Sequence, residues 1–295
     1  MTSPSLQPSK PLAGVRNYLE LVKFSHTIFA LPFALASMLV AAHGFPPLRI
    51  FAWILVAMVG ARTAAMGFNR IVDREIDARN PRTKNRELPS GKVSLLGAWI
   101  LVVVSSLMFC GAAGEINRLA LLLSPLTLAV LFFYSFCKRF TSLSHFVLGL
   151  CLGIAPVGAW VATRGEIGIP SGALCAAVLF WVAGFDIIYA TMDVEFDREN
   201  NLNSMVRKLG VAKALNFAKV LHAAFIANLV LFGLLAHLNA IYFGSVALIA
   251  AFLVYEHVLV KPDDLRRVNA AFFTVNGAIA VFFLGAVVLS TFIRM

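Results

Sequence analysis

Charge is scarce in this chain of 295 residues. Only 14% are Asp, Glu, Lys or Arg and 60% are hydrophobic, whereas soluble domains carry about 25% charged residues. With a mean hydropathy of +0.83, a soluble fold is excluded. Cysteine is scarce too: Cys110, Cys137, Cys151 and Cys175 lie in or at the edge of apolar runs without a C-x-x-C pair, which points away from a disulfide framework or a zinc site. The six histidines, His26, His43, His145, His222, His237 and His257, are scattered without metal-ligand spacing and read as packing or interface residues. No strand-like alternation punctuated by turns is present, so an outer-membrane barrel is disfavoured. A short apolar core with a cleavage site is also missing near the start, so no removable signal peptide is expected.

What is present is a series of apolar runs, each near the roughly 17 to 25 residues that span a bilayer. They fall at about 24–42, 50–72, 93–113, 118–137, 143–163, 171–192, 214–236, 240–260 and 270–293. The expected fold is all-α: a single domain over 1–295 with a polar segment at 1–17 and nine transmembrane helices around a central cavity. Nineteen of the 25 Lys and Arg residues fall in the segments that are inner if the N-terminus is cytoplasmic; only Arg49, Arg118, Arg164 and Arg294 fall in outer ones. Positive charge is retained on the cytoplasmic side. This predicts a multi-pass protein of the cytoplasmic membrane with a cytoplasmic N-terminus and an outer C-terminus. The net charge of +10 is then a matter of topology and anionic lipid rather than of nucleic acid.

Acidic residues are concentrated. Nine of fifteen lie in two stretches, "NRIVDREIDARNPRTKNRELPSG" from Asn69 and "DIIYATMDVEFDREN" from Asp186. On a helix, Asn69, Asp73 and Asp77 share an arc of about 80°, and Asp186, Asp193 and Asp197 one of about 40°, with Tyr189 a turn along. Stacked carboxylates repel unless a cation sits among them. Oxygen donors of this kind suit Mg²⁺ held jointly with substrate phosphates, and the basic stretches "RNPRTKNR" and "RENNLNSMVRK" that follow suit phosphate oxygens. Single residues such as Glu75, Arg79 and Lys84 are read equally well as a solvated, topology-setting face. Asp186 lies inside "VLFWVAGFDIIYA", where an unpaired carboxylate is costly. Arg62, two turns before Asn69 and within about 20° of it, must face the interior. It is read either as the partner of a buried carboxylate such as Asp186 or as a clamp for a substrate carboxylate.

These residues resemble the UbiA superfamily of intramembrane aromatic prenyltransferases. Asn69, Asp73, Asp77 and "RTKNREL" look like its first motif, and Asp186, Tyr189, Ala190, Asp193 and Asp197 like its second. Asn201 stands where many relatives have glycine, and Glu87 where proline is usual. "FSHTIFALPFA", "AAMGFNRIVDREIDARNPRT" and "GFDIIYATMDVEFD" are similar to 4-hydroxybenzoate polyprenyltransferases, and most of all to the branch that prenylates 1,4-dihydroxy-6-naphthoate on the futalosine route to menaquinone. The resemblance implies a polyprenyl diphosphate bound through Mg²⁺ by Asp73, Asp77, Asp193 and Asp197, with Asn69 and Asp186 completing or orienting the shell. Arg82, Arg86, Lys138 and Arg139 are expected to neutralise the diphosphate, and Tyr189 to face the allylic cation. The expected partners are the diphosphate, an aromatic acid and the bilayer, with no obligate protein partner. A secondary transporter is the alternative class. A phospholipid-headgroup transferase fits less well, because the glycines of its D-x-x-D-G motif are missing.

Overall fold

A computed structural model of the protein describes residues 10–22 and 29–293. Helices α1 (Lys10–Leu21) and α2 (Leu31–Ala42) precede α3 (Leu48–Val72), α4 (Arg74–Arg79), α5 (Leu95–Ile116), α6 (Arg118–Cys137), α7 (Ser144–Arg164) and α8 (Ile169–Ala190). A 3₁₀ turn, Thr191–Asp193, leads into α9 (Val194–Glu199) and α10 (Met205–Leu209). Then follow α11 (Val211–Leu235), α12 (Ala240–Leu259), α13 (Val268–Ala270), a π turn at Ala271–Val275 and α14 (Asn276–Phe292). No strand occurs among the described residues, only an isolated bridge between Lys261 and Asp264. The chain is all-α, as a bilayer requires of segments whose backbone groups must all be satisfied internally.

Among the described residues, eight helical stretches are long and apolar enough to cross a membrane. The first of the nine expected runs is represented by α2, whose 12 residues measure about 18 Å against a hydrocarbon core of about 30 Å. Residues 24–28 of that run lie outside the described residues, as do residue 23 and residues 1–9 of the polar N-terminal segment.

The connections sort by end. Residues 43–47, 117, 165–168 and 236–239 join helices at one end of the bundle, where Arg49 bonds Glu115 and Asn117 bonds the Val161 carbonyl. The longer connections 73–94, 138–143, 191–210 and 260–267 lie at the other. Both acidic stretches belong to this second end.

Packing follows small residues. Helix α7 neighbours α2, α6 and α8, and α8 packs on α11. At Gly153 an added Cβ would stand 2.7 Å from the Cys175 carbonyl oxygen, and at Gly149 one would collide with the Leu179 backbone. Glycines spaced four apart let two membrane helices touch through their backbones. The interior behind them is aromatic: Phe33, Trp181, Phe225 and Phe283 are fully buried, with Phe33 and Phe283 stacked at 4.6 Å. On α5, Leu96, Trp99, Ile100, Val103, Val104 and Leu107 stay exposed, as a lipid-facing surface should.

Candidate active site

The first acidic stretch does not continue one helix. Helix α3 ends at Val72, Asp73 adopts φ −89° and ψ 1°, and α4 restarts at Arg74. The break turns Asp73 and Asp77 inward, leaving them 3% and 4% exposed. Buried carboxylates need partners, and each has them. Asp73 Oδ2 accepts Lys138 Nζ at 2.7 Å and Asn69 Nδ2 at 3.2 Å, and its Oδ1 accepts Arg139 Nη2 at 3.1 Å. Asp77 takes Arg86 Nη1 on both oxygens, at 2.7 and 2.8 Å, with Arg70 Nη1 at 3.9 Å.

The second stretch also breaks, through the Thr191–Asp193 turn between α8 and α9. It is joined to the first by Arg82, which crosses from the loop after α4. Its Nε donates to Asp193 Oδ1 at 2.9 Å, its Nη2 to Oδ2, and its Nη1 to the Tyr189 hydroxyl at 2.9 Å. Burial works against the Arg82 charge, but the hydrogen bonds and attraction of Asp193 outweigh it and hold the guanidinium above its ordinary pKa. Asn80 adds a 3.3 Å bond to Asp193 and accepts the Arg82 amide at 2.9 Å, a turn that aims the arginine. Tyr189 is backed by Phe272, centroids 4.3 Å apart.

The structure therefore brings Asn69, Asp73, Asp77, Tyr189, Asp193, Arg82, Arg86, Lys138 and Arg139 into one network of pairs. Asp197 stands at its edge, close enough to Asp193 and Lys138 to feel their charges. Asp186 stands apart from these pairs and bonds His145 Nδ1 at 2.7 Å. The alternative partner expected for Arg62 is thus corrected: Asp186 is held by a histidine, and Arg62 lies further along α3. Among the described residues no three metal-binding side chains cluster, because lysine and arginine stand between them. Sequence reading missed Arg70, Asn80 and His145. For Asn80 the "RNPR" turn was the available signal; His145 is 41 positions from its partner and had none.

Asn201 adopts a left-handed φ of 53°. That explains why it stands at a glycine position, since asparagine is among the few residues that tolerate this region.

The UbiA prenyltransferase family profile matches residues 30–287. A 4-hydroxybenzoate octaprenyltransferase from Nitrosospira multiformis is 31% identical over 247 residues, 84% of this chain and 85% of the relative. One from Francisella tularensis subsp. novicida is 26% identical over 239 residues, covering 81% and 84%. The apo structure of a UbiA homolog from Aeropyrum pernix K1 matches at a TM-score of 0.81 and 38% identity over 90% of this chain and 97% of that one. A UbiA homolog from Archaeoglobus fulgidus bound to GPP and Mg²⁺ shares the fold at a TM-score of 0.72 and 19% identity, over 92% and 99%. Two broken acidic helices facing each other, within a chain that matches this family over most of its length, have one reading: the protein belongs to the UbiA prenyltransferase family and is a membrane-embedded transferase.

Proposed function

We propose that the chain transfers a polyprenyl group from polyprenyl diphosphate to the ring of an aromatic acid in quinone biosynthesis, of the 4-hydroxybenzoate or 1,4-dihydroxy-6-naphthoate type, releasing diphosphate. The observation that carries this reading is Arg82, a cation of the first loop clamped on Asp193 of the second motif beside Tyr189. It joins carboxylates, phosphate-binding groups and an aromatic face in one place. The relatives named for 4-hydroxybenzoate support the first acceptor type; the naphthoate type rests on the sequence likeness alone.

Asp73, Asp77, Asp193, Asp197 and Asn69 offer only hard oxygen donors at the site, the donor set that suits Mg²⁺ shared with phosphate. When bound, the metal supplies charge neutralisation for the departing diphosphate. The chain's own residues do the rest. Arg86, Arg82 and Arg139 present planar forks and Lys138 a point charge to phosphate oxygens. Breaking the allylic C–O bond releases diphosphate and leaves a cation that the Tyr189 ring face stabilises; an electron-rich ring carbon of the acceptor attacks it and then gives up its proton to the released diphosphate or to water, restoring the aromatic ring. Arg62, deeper along α3, is the residue this reading assigns to the acceptor's carboxylate, which its planar fork matches. The basic loops, read by the retention of positive charge on the inner side, support a site at the cytoplasmic face of the inner membrane.

The test is product analysis of membranes given a polyprenyl diphosphate, Mg²⁺ and each candidate acid in turn. Prenylated product from one acid is expected, stopped by EDTA and restored by Mg²⁺. Asp193→Ala should abolish it at unchanged abundance. Turnover that is indifferent to thorough chelation, or near-normal in Asp193→Ala, would overturn the reading.

A further inference from the structure

His145, second residue of α7, keeps 4% of its side chain exposed, whereas Asp186 beside it keeps 19%. Both ring nitrogens are engaged. Nδ1 meets Asp186 Oδ2 at 2.7 Å, and Nε2 accepts the backbone N–H of Met205 at 3.3 Å. A backbone amide can only donate, so Nε2 carries no proton and the ring proton sits on Nδ1, directed at the carboxylate. His145 is therefore a donor to Asp186 and is itself almost fully buried.

The other side of the ring leads to the far end of the same motif. Met205 opens α10, and its cap Ser204 accepts the Arg207 amide at 3.2 Å while also reaching the Asp197 carboxylate. The preceding residues are tied in as well: Leu202 N donates to Asp197 O at 2.9 Å and Asn203 N to Lys138 O at 2.7 Å. One imidazole thus links Asp186, at the start of the second acidic stretch, to the turn that carries Asp197, at its end.

We infer that His145 is a positioning residue for the diphosphate half of the site, setting the placement of Asp186 through one nitrogen and of Asp197 through the other. The inference rests on the prenyl-transfer reading above. A metal-ligating histidine is commonly oriented by a carboxylate behind it; here the order is reversed, and a neutral histidine orients the carboxylate.

Three variants of the full-length protein in native membranes or detergent test it. His145→Gln keeps a donor for Asp186 and an acceptor for Met205. His145→Leu fills similar volume with neither. Met205→Pro deletes the N–H at a first helical position, where proline is tolerated, after a Ser204 whose φ −142° and ψ 159° already suit it. Expected for His145→Leu and Met205→Pro is a rise of about tenfold in the KM for polyprenyl diphosphate and in the Mg²⁺ needed for half-maximal rate. The KM for the aromatic acid should stay within about twofold of native, a split that marks loss of one interaction rather than of the fold. Amide hydrogen exchange across 202–209 should quicken in both variants, and His145→Gln should restore every readout to within about threefold. His145→Leu behaving as native, His145→Gln as impaired as His145→Leu, or a change confined to the acid KM would overturn it. Should His145→Leu fail to fold, the contrast between His145→Gln and Met205→Pro decides on the same readouts. If the native protein transfers no prenyl group, the reading of the previous section fails, while unchanged exchange in Met205→Pro would separately break the His145 link.

Discussion

Asp73 and Asp77 look equivalent as letters but differ in what depends on them. The partners of Asp73, Lys138 and Arg139, keep 31% and 32% of their side chains exposed, so water can solvate them if the carboxylate is lost. Asp77 faces Arg70, whose side chain is only 5% exposed and which also bonds the Leu21 carbonyl at 3.3 Å. Stripping one partner from a buried pair strands the other, at about 3–5 kcal/mol. Asp73→Ala should therefore abolish turnover at native membrane abundance, whereas Asp77→Ala should lose turnover and abundance together. Quantitative immunoblotting beside the activity assay checks this, and equal abundance of the two variants would refute it. Arg62→Lys should raise the KM for the aromatic acid several-fold more than that for the diphosphate, because a point charge cannot replace a planar fork. Equal shifts in both constants would remove Arg62 from the acceptor site. Asn201→Gly should be close to neutral and Asn201→Val destabilising by about 1–2 kcal/mol, the cost of a left-handed φ for a β-branched side chain; thermal unfolding in detergent measures it.

Elements explain what the residues alone could not. The spacing of Asn69, Asp73 and Asp77 pointed to a candidate site, and the apolar run at 93–113 lies close to the observed α5, Leu95–Ile116, because hydropathy and helical period are local properties of sequence. Both motifs break at their own aspartates, however. Nothing local marks it, and the cations that meet those aspartates come from the residues just after α6 and from the loop after α4. His145 was illegible for the same reason, since its link to Asp186 depends on how closely α7 approaches α8. Gly149 and Gly153 lie one and two turns beyond His145 and set that approach. A valine at Gly149 would push the helices apart, and overpacking of this kind costs about 1–3 kcal/mol. Gly149→Val should therefore lower both folded yield and affinity for the diphosphate, while Gly158→Val, at a glycine with open space around it, should do neither. A normal diphosphate KM in Gly149→Val would disconnect helix approach from the site. The π turn was equally unforeseen. Asn276 Nδ2 bonds the Ala271 carbonyl at 3.1 Å and buried Glu256 at 2.6 Å, an arrangement that stabilises the wide turn behind Phe272 and Tyr189.

On the scale of the whole molecule, the short connections at one end and the long, basic ones at the other imply an orientation. Ser90 and Glu166 are both exposed and lie at opposite ends. With the four native cysteines replaced, Ser90→Cys should resist an impermeant thiol reagent in intact cells, and Glu166→Cys should react; the reverse pattern would invert the topology. The paired site has a further consequence at this scale. Asp73, Asp77 and Asp193 stand against Arg70, Arg82, Arg86, Lys138 and Arg139, with Asp197 at the edge, so the resting site resembles a small crystal of internal salt. Such a lattice resists a lone cation, which must compete with the ammonium and guanidinium groups, and a lone anion, which must compete with the carboxylates. It opens most readily to a neutralised pair that exchanges partners with both at once, as a mixed-bed resin does. On the proposed reading, metal and diphosphate therefore enter and leave together, and departure of the product is drawn forward by the lattice closing behind it.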